Sequence, residues 1–431
     1  MSEQAAWSHP DRDRLTFLDD VEAFETVPSG SFPDDGRSEE IIALHEGRIV
    51  VDAIHSGDVI PREFRDSIRR AGHEDVVTER YVVEKDWGAD HLAHEVARQL
   101  RLPASYRVSV ARAILDFGRF PGTSRRGLTH MHRFAINSPF AECLSHAEKR
   151  HLLERYYDSI SERIDDAVRD KHVKLSIHSY DRFNPLPRSD RWTLPAADGE
   201  RVGTERPLVS LVSGSHGYHN ETEMPYGVFD ELFPDELGEL TADRKLTARI
   251  LLEVANAGLS VTHNHPYLLP EGSVEVRSQV WFFFDYLRKR FEAAHPEMTG
   301  DAGHRRVWEM LLDTNLRRSD SEVLRSYLHG FRKAPRGMDA ECEHAGVAYG
   351  AIRDFTERNG DSILREYRHR ARTGRPSSLV IEVRKDFLWR FEDDRKMFDP
   401  TRGAAGLIRE NVDRVARLLT DAVLTYLRDD R

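Results

Sequence analysis

Short β-branched runs alternating with amphipathic stretches predict an α/β protein whose central sheet, mostly parallel or mixed, is flanked by helices. Two such runs stand out: Ile49 to Ile54, and the alternating Val173, Leu175 and Ile177. Each ends in a polar cluster, His55-Ser56-Gly57-Asp58 and His178-Ser179. The third observation is an amphipathic closing helix carrying Leu407, Ile408, Val412, Val415, Leu418, Leu419, Val423 and Leu427.

Residues 1 to about 40 are polar and lack sustained periodicity, so they are expected to form an irregular lead-in to a single domain over 41–431. After the first strand, Ala89, Leu92, Val96 and Leu100 recur at helical spacing and Pro103 ends that helix. A second strand is predicted from Tyr106 to Val110. Ser145 and Glu148 form a capping box that opens a helix with Leu152, Tyr156, Ile160, Ile164 and Val168 on its apolar stripe. Further strands are expected at Leu208–Val212, Leu259–His263 and Leu379–Val383. Two stretches, about 187–255 and 285–375, read as insertions; the second is helical, and the dense segment around Trp281, Phe283, Phe284 and Leu287 suggests a lid.

The 431 residues, 39% of them hydrophobic, suffice for a sizeable core. With 63 Lys and Arg against 74 Asp and Glu, the net charge of −11 and the lack of basic clusters argue against nucleic acid as partner. No apolar run approaches the roughly 18–20 residues of a membrane span, and the polar N-terminus lacks a signal-peptide pattern, so no membrane partner and a cytoplasmic location are expected. The two cysteines, Cys143 and Cys342, read as ordinary thiols.

A catalytic zinc ion needs three ligands of the His and Asp/Glu type, with the fourth position left to water. His55 and His178 both follow buried strands, and in open α/β sheets ligands bind beyond the carboxyl ends of the strands. The carboxylate is open on this reading. Asp86 begins a helix, where it also suits the helix dipole; Asp58 gives His55-x-x-Asp58, close to the His-x-x-Glu spacing of zinc carboxypeptidases; Glu84 is a third candidate. Glu382, a charge inside the apolar run Leu379 to Val383, reads either as a buried ion pair with Arg384 or as a general base. Arg112 and Arg119 suit an acidic substrate, with Asp116 either in that site or ion-paired to Arg112. Asn264 follows a strand and could orient an amide; His263 and His265 beside it are weaker ligand candidates.

Taken together, these clusters resemble the N-formylglutamate amidohydrolase family, zinc enzymes with a fold related to the zinc exopeptidases and phosphorylase/hydrolase-like proteins. Ile54-His55-Ser56-Gly57 resembles the family's Pro-His-Ser-Gly element with isoleucine for proline. Asp86 to Leu92 resembles Asp-x-x-x-Asp-x-Leu, and Arg112 to Arg119 resembles Arg-x-x-x-Asp-x-Asn-Arg with Gly118 in place of asparagine. Arg155-Tyr156-Tyr157 matches the Tyr-rich helix, although Asp158-Ser159-Ile160 replaces Pro-Tyr-His. Ser176-Ile177-His178-Ser179 resembles Asp-x-His-Ser with serine for aspartate, Asn264 to Tyr267 resembles Asn-x-Pro-Phe, and Ile381-Glu382-Val383 resembles the late Glu element. The resemblance implies one zinc ion per chain on His55, Asp86 and His178, Glu382 as acid/base, and Arg112, Asp116, Arg119 and Asn264 on the substrate side. The implied activity is cleavage of an N-formyl or N-acyl amide of an amino acid. A carboxypeptidase or deacylase acting on a short peptide or specialised metabolite, and a non-catalytic small-molecule-binding relative, are the competing readings.

Overall fold

The computed structural model describes residues 14–32, 36–123, 134–184, 194–195, 204–215, 229–238, 240–316, 318–369, 374–390 and 406–429. The main sheet has seven strands: β1 (Phe24–Pro28), β2 (Ile49–Ala53), β3 (Ala104–Val108), β4 (Val173–Tyr180), β5 (Val209–Val212), β6 (Val261–His263) and β7 (Ser377–Arg384). Their order across the sheet is β6-β5-β7-β4-β2-β3-β1. Strands β7, β4, β2 and β3 run parallel, whereas β5 with β6 at one end and β1 at the other run against them. The expected mixed sheet is therefore present, and the carboxyl ends of β2, β4 and β7 share one edge.

Ten longer helices among the described residues surround it: α1 (Gly36–His45), α2 (Glu74–Glu84), α3 (Ala89–Gln99), α4 (Asp158–Val168), α5 (Arg244–Asn256), α6 (Val274–Ala294), α7 (Ala302–Leu312), α8 (Ser319–Leu328), α9 (Asp339–Arg368) and α10 (Arg409–Asp429). α3 begins after Gly88, whose φ of 80° lies in the left-handed region, and its small Ala89, Ala93 and Ala97 let it lie close to the sheet. The expected capping box closes in both directions, Glu148 N to Ser145 Oγ at 3.2 Å and Ser145 N to Glu148 Oε2 at 2.7 Å.

Neighbouring residues of a strand point to opposite faces, and the central strands use that period sharply. Val51 and Ala53 of β2, Val173, Leu175 and Ile177 of β4 and Leu379, Ile381 and Val383 of β7 pack against α3, α5 and α10 in one apolar cluster. Complete burial of each large aliphatic side chain here contributes roughly 1.5–3 kcal/mol. On the other face, a second cluster, with α4, covers the β2 side, and a third, built on α6 to α9, covers the β5 and β7 side. Between these two clusters the same strands present Asp52, Lys174, Ser176, His178 and Glu382, all buried.

Two expectations are revised at the level of elements. The lead-in before residue 40 is not irregular throughout: β1 pairs antiparallel with β3, and α1 begins at Gly36. β1 escapes notice because an edge strand of five residues ending in Pro28 carries little periodicity. Residues 1–13 and 33–35 of that lead-in lie outside the described residues. Part of the 187–255 stretch belongs to the sheet and its helical layer, since it holds β5 and α5; other parts lie outside the described residues. The 285–375 stretch is largely helical, and Phe283, Phe284 and Leu287 are fully buried against α7 and α9. No helix among the described residues is long and apolar enough to cross a membrane.

Candidate metal centre

His55 leaves β2 on a tightly held loop. A Cβ at Gly57 would sit 2.3 Å from the Val110 carbonyl oxygen, so only glycine lets the loop pass there. The Asp58 and Val59 amides both donate to the Ser109 carbonyl at 3.0 Å. The loop after α2 is tied to this strand end by Asp86 N donating to His55 O at 3.0 Å. Ser179 Oγ donates to Trp87 O at 3.0 Å, and Lys385 Nζ to Val83 O at 2.8 Å. Elements distant in sequence are thus clamped around one point.

At that point three ligand atoms converge. His55 Nδ1 lies 3.1 Å from His178 Nδ1, His178 Nδ1 lies 2.9 Å from Asp86 Oδ2, and His55 Nδ1 lies 3.7 Å from Asp86 Oδ2. Ligands about 2.0–2.1 Å from a tetrahedral zinc ion are about 3.3 Å apart, and the triangle brackets that edge. All three residues are buried, and they form the one such group among the described residues. The two competing carboxylates are engaged elsewhere. Asp58 pairs with Arg107 at 2.9 Å and Lys85 at 3.6 Å, and Glu84 with Arg80 at 2.8 Å. Asp86 does not act as a side-chain helix cap; α3 is entered through Gly88.

The far side of each ligand is also held. His55 Nε2 lies 2.9 Å from Asp116 Oδ1, which also accepts from Gly118 N at 3.0 Å. Asp116 Oδ2 takes Arg112 Nε at 3.2 Å and Arg119 Nε at 3.5 Å. Arg112 Nη1 reaches Asp86 Oδ1 at 3.4 Å. Orientation of a ligating imidazole by a carboxylate on its other nitrogen is the usual outer layer of a metal site. Asp116, expected on the substrate side, therefore orients His55, and Arg112 bridges Asp86 to Asp116. The i,i+4 spacing displayed their ion pair but not the histidine they support.

The electrostatics fit a cation. Burial acts to raise the Asp86 pKa, yet hydrogen bonds from His178 and His55 and the charge of Arg112 hold it well below the ordinary carboxylate range. Burial likewise opposes ionisation of Asp116, and Arg112 and His55 overcome it. Burial acts to lower the His178 pKa, but the Asp86 hydrogen bond and the Glu382 charge bring it up to about 9. Five buried carboxylates, Asp52, Asp86, Asp116, Glu275 and Glu382, share this region with the cations Lys174, Arg112 and Arg119. A divalent ion would balance part of that negative charge, and the two-nitrogen, one-oxygen donor set suits zinc.

Glu382 is the register partner of His178 across β7 and β4, so both side chains stand on the same face. Its Oε1 accepts a hydrogen bond from Tyr267 OH, whereas Oε2 is buried without a partner. Burial pushes its pKa up, with the Asp86 charge adding to the rise and His178 and Tyr267 opposing it. The alternative ion pair with Arg384 is not formed. Arg384 follows two residues on, on a different course, and binds Asp386 and Glu205.

Other expected residues do different work. Asn264 turns the chain after β6 at φ 53°, and its Oδ1 accepts from Ser213 N at 2.9 Å and Gly214 N at 2.7 Å. Its amide oxygen is thereby committed to a backbone turn, and the turn brings Tyr267 to Glu382. His263 Nε2 pairs with Ser213 Oγ at 2.8 Å, and neither it nor His265 joins the ligand triangle. Tyr157, on a π-turn spanning Leu153–Tyr157, donates from its hydroxyl to Arg119 O at 2.6 Å. Such turns often mark functional sites, and the Tyr156-Tyr157 pair was the only sequence signal for it. Cys143 and Cys342 are free thiols, half-buried and buried.

A sequence model of the N-formylglutamate amidohydrolase family matches residues 47–281, more than half of the chain. The chain belongs to the N-formylglutamate amidohydrolase family. The matched span contains His55, Asp86, Arg112, Asp116, Arg119 and His178, and ends before Glu382. No curated protein matches the chain. Solved structures similar to it include the following two. One is a gene product of Agrobacterium tumefaciens, 13% identical with a TM-score of 0.40 over 94% of this chain and 96% of the other. The second is an N-formylglutamate amidohydrolase from Ralstonia eutropha, 14% identical with a TM-score of 0.43 over 95% of this chain and all of the other.

Proposed function

We propose that this family member is a zinc-dependent amidohydrolase that removes an N-formyl or N-acyl group from an amino acid with an acidic side chain. The observation that carries the reading is the juxtaposition of the His55, Asp86 and His178 ligand triangle with the buried, unpartnered Oε2 of Glu382 on the next strand. A zinc ion held by that triangle supplies Lewis acidity to an amide carbonyl and lowers the pKa of water toward about 7. Glu382 Oε2 takes the proton from the attacking water and delivers it to the departing amine nitrogen. Tyr267 fixes the carboxylate through Oε1, so Oε2 keeps its direction in both transfers. The raised pKa of Glu382 brings it nearer the working pH of such a shuttle.

Arg119 supports the acidic side of the substrate. Its Nε is held by Asp116 and its backbone carbonyl by Tyr157, which leaves the outer edge of the guanidinium for a carboxylate fork. Arg112, bound to both Asp86 and Asp116, contributes positive charge and ligand position. Gly118, where the family pattern has asparagine, leaves no room for a side chain: a Cβ there would meet His55 Nε2 at 2.9 Å. That departure lies against His55 and Asp116, beside the proposed ligands, while the three ligand residues themselves are kept.

The test is a panel of N-formyl and N-acyl amino acids, acidic and neutral, together with short peptides, assayed on the parent and on Glu382→Gln. The reading expects turnover of acidic N-acyl amino acids, with about 10²- to 10⁴-fold loss in Glu382→Gln and unchanged metal content. Full activity in that variant contradicts the assignment of Glu382. Cleavage of peptides alone transfers the site to the carboxypeptidase or deacylase reading.

A further inference from the structure

The outer support of His178 differs from that of His55. Among the described residues no carboxylate is hydrogen-bonded to His178 Nε2; Ser176 Oγ lies 3.3 Å from it. Ser176 stands two residues before His178 on the same face of β4, and its register partner across the sheet is Asp52 of β2. Ser176 Oγ donates to Asp52 Oδ1 at 2.5 Å. The other oxygen of Asp52 takes Lys174 Nζ at 3.0 Å, and Lys174 Nζ in turn pairs with Glu275 Oε1 at 2.6 Å from α6. All five side chains are buried. A buried lysine and two buried carboxylates cost several kcal/mol of desolvation unless each is paired, so an arrangement this specific has a role to match.

The proton count fixes the direction of the chain. A serine hydroxyl has one proton and two lone pairs, and an ionised carboxylate only accepts. With the Ser176 proton on Asp52, Oγ receives the Nε2–H of His178. A neutral imidazole with its proton on Nε2 has its lone pair on Nδ1, the atom in the ligand triangle.

We propose that Asp52, acting through Ser176, is a positioning residue that makes His178 Nδ1 the ligand atom. The orienting carboxylate sits one strand away from the histidine it serves, with serine as the bridge and Lys174 as the clamp. The inference rests on the metal-centre reading above.

The experiment measures zinc affinity by chelator competition in the full-length parent, Ser176→Ala, Asp52→Asn, the double variant, and the exchanged variant Asp52→Ser/Ser176→Asp. The relay expects about 10- to 100-fold weaker zinc binding in each single variant. It also expects no further loss in the double variant, because Asp52 acts only through Ser176, and recovery of most of the affinity in the exchanged variant. Unchanged affinity in the single variants, or losses that multiply in the double variant, overturn the relay. Should Ser176→Ala fail to fold, the isosteric Asp52→Asn carries the test alone: a tenfold or greater loss supports the relay and unchanged affinity overturns it. A parent that takes up no zinc overturns the relay and the metal centre together, whereas a zinc-binding parent with indifferent variants overturns the relay only.

Discussion

The two faces of the central sheet are made by the same strands and do opposite things. Along β4, Val173, Leu175 and Ile177 enter a continuous hydrocarbon layer, while Lys174, Ser176 and His178 between them enter a buried polar column. β7 repeats the contrast with Ile381 against Glu382, and β2 with Val51 against Asp52. The first face packs through non-directional apolar contacts. The second face depends on direction: Asp52, Lys174, Ser176 and His178 are each held by a named partner, whereas Oε2 of Glu382 has none.

The largest effects should therefore separate function from fold. His55→Ala and His178→Ala each remove a ligand and should abolish zinc binding and turnover, with cooperative thermal unfolding retained; elemental mass spectrometry and calorimetry check both halves. The converse substitution, Leu175→Ala, should cost about 2–5 kcal/mol of stability by leaving a cavity in the aliphatic layer. Its folded fraction should still bind zinc as the parent does, which denaturant titration with a metal assay would show. Loss of zinc from fully folded Leu175→Ala would break the comparison.

Much of the first face was legible from sequence, because β-branched runs at period two announce buried strands. The strand-end histidines were legible for the same reason. Asp86 was not separable from Asp58 and Glu84, since the choice depends on Arg107, Lys85 and Arg80 drawing the other two away. Asp116 and Asn264 were read as substrate ligands because local spacing displays a side chain without its distant partner. Asp52 and Lys174 gave no signal, and Ser176 showed only as the serine that replaces aspartate in the Asp-x-His-Ser element. Their meaning lies in the register between β2 and β4, which one strand's sequence does not contain.

Smaller effects sharpen the second face. Asp116→Asn keeps the shape beside His55 but weakens its acceptor, and should loosen zinc by about 10- to 100-fold without changing the thermal midpoint of the metal-free protein much. The pH profile gives the finest test. As the proposed base Glu382 would act only when ionised, and burial raises its pKa above the ordinary carboxylate value, so kcat/KM should fall on the acid side at a higher pH than an exposed glutamate would give. In Tyr267→Phe the hydrogen bond that favours the ionised form is gone, and that acid limb should move to still higher pH.

The most direct measurement is the zinc content of the purified protein by elemental mass spectrometry, with His55→Ala and His178→Ala beside the parent. About one zinc per chain, absent from both variants, is the predicted result. A folded parent that holds no zinc and takes none up when it is supplied would contradict the metal centre, and with it the proposed chemistry.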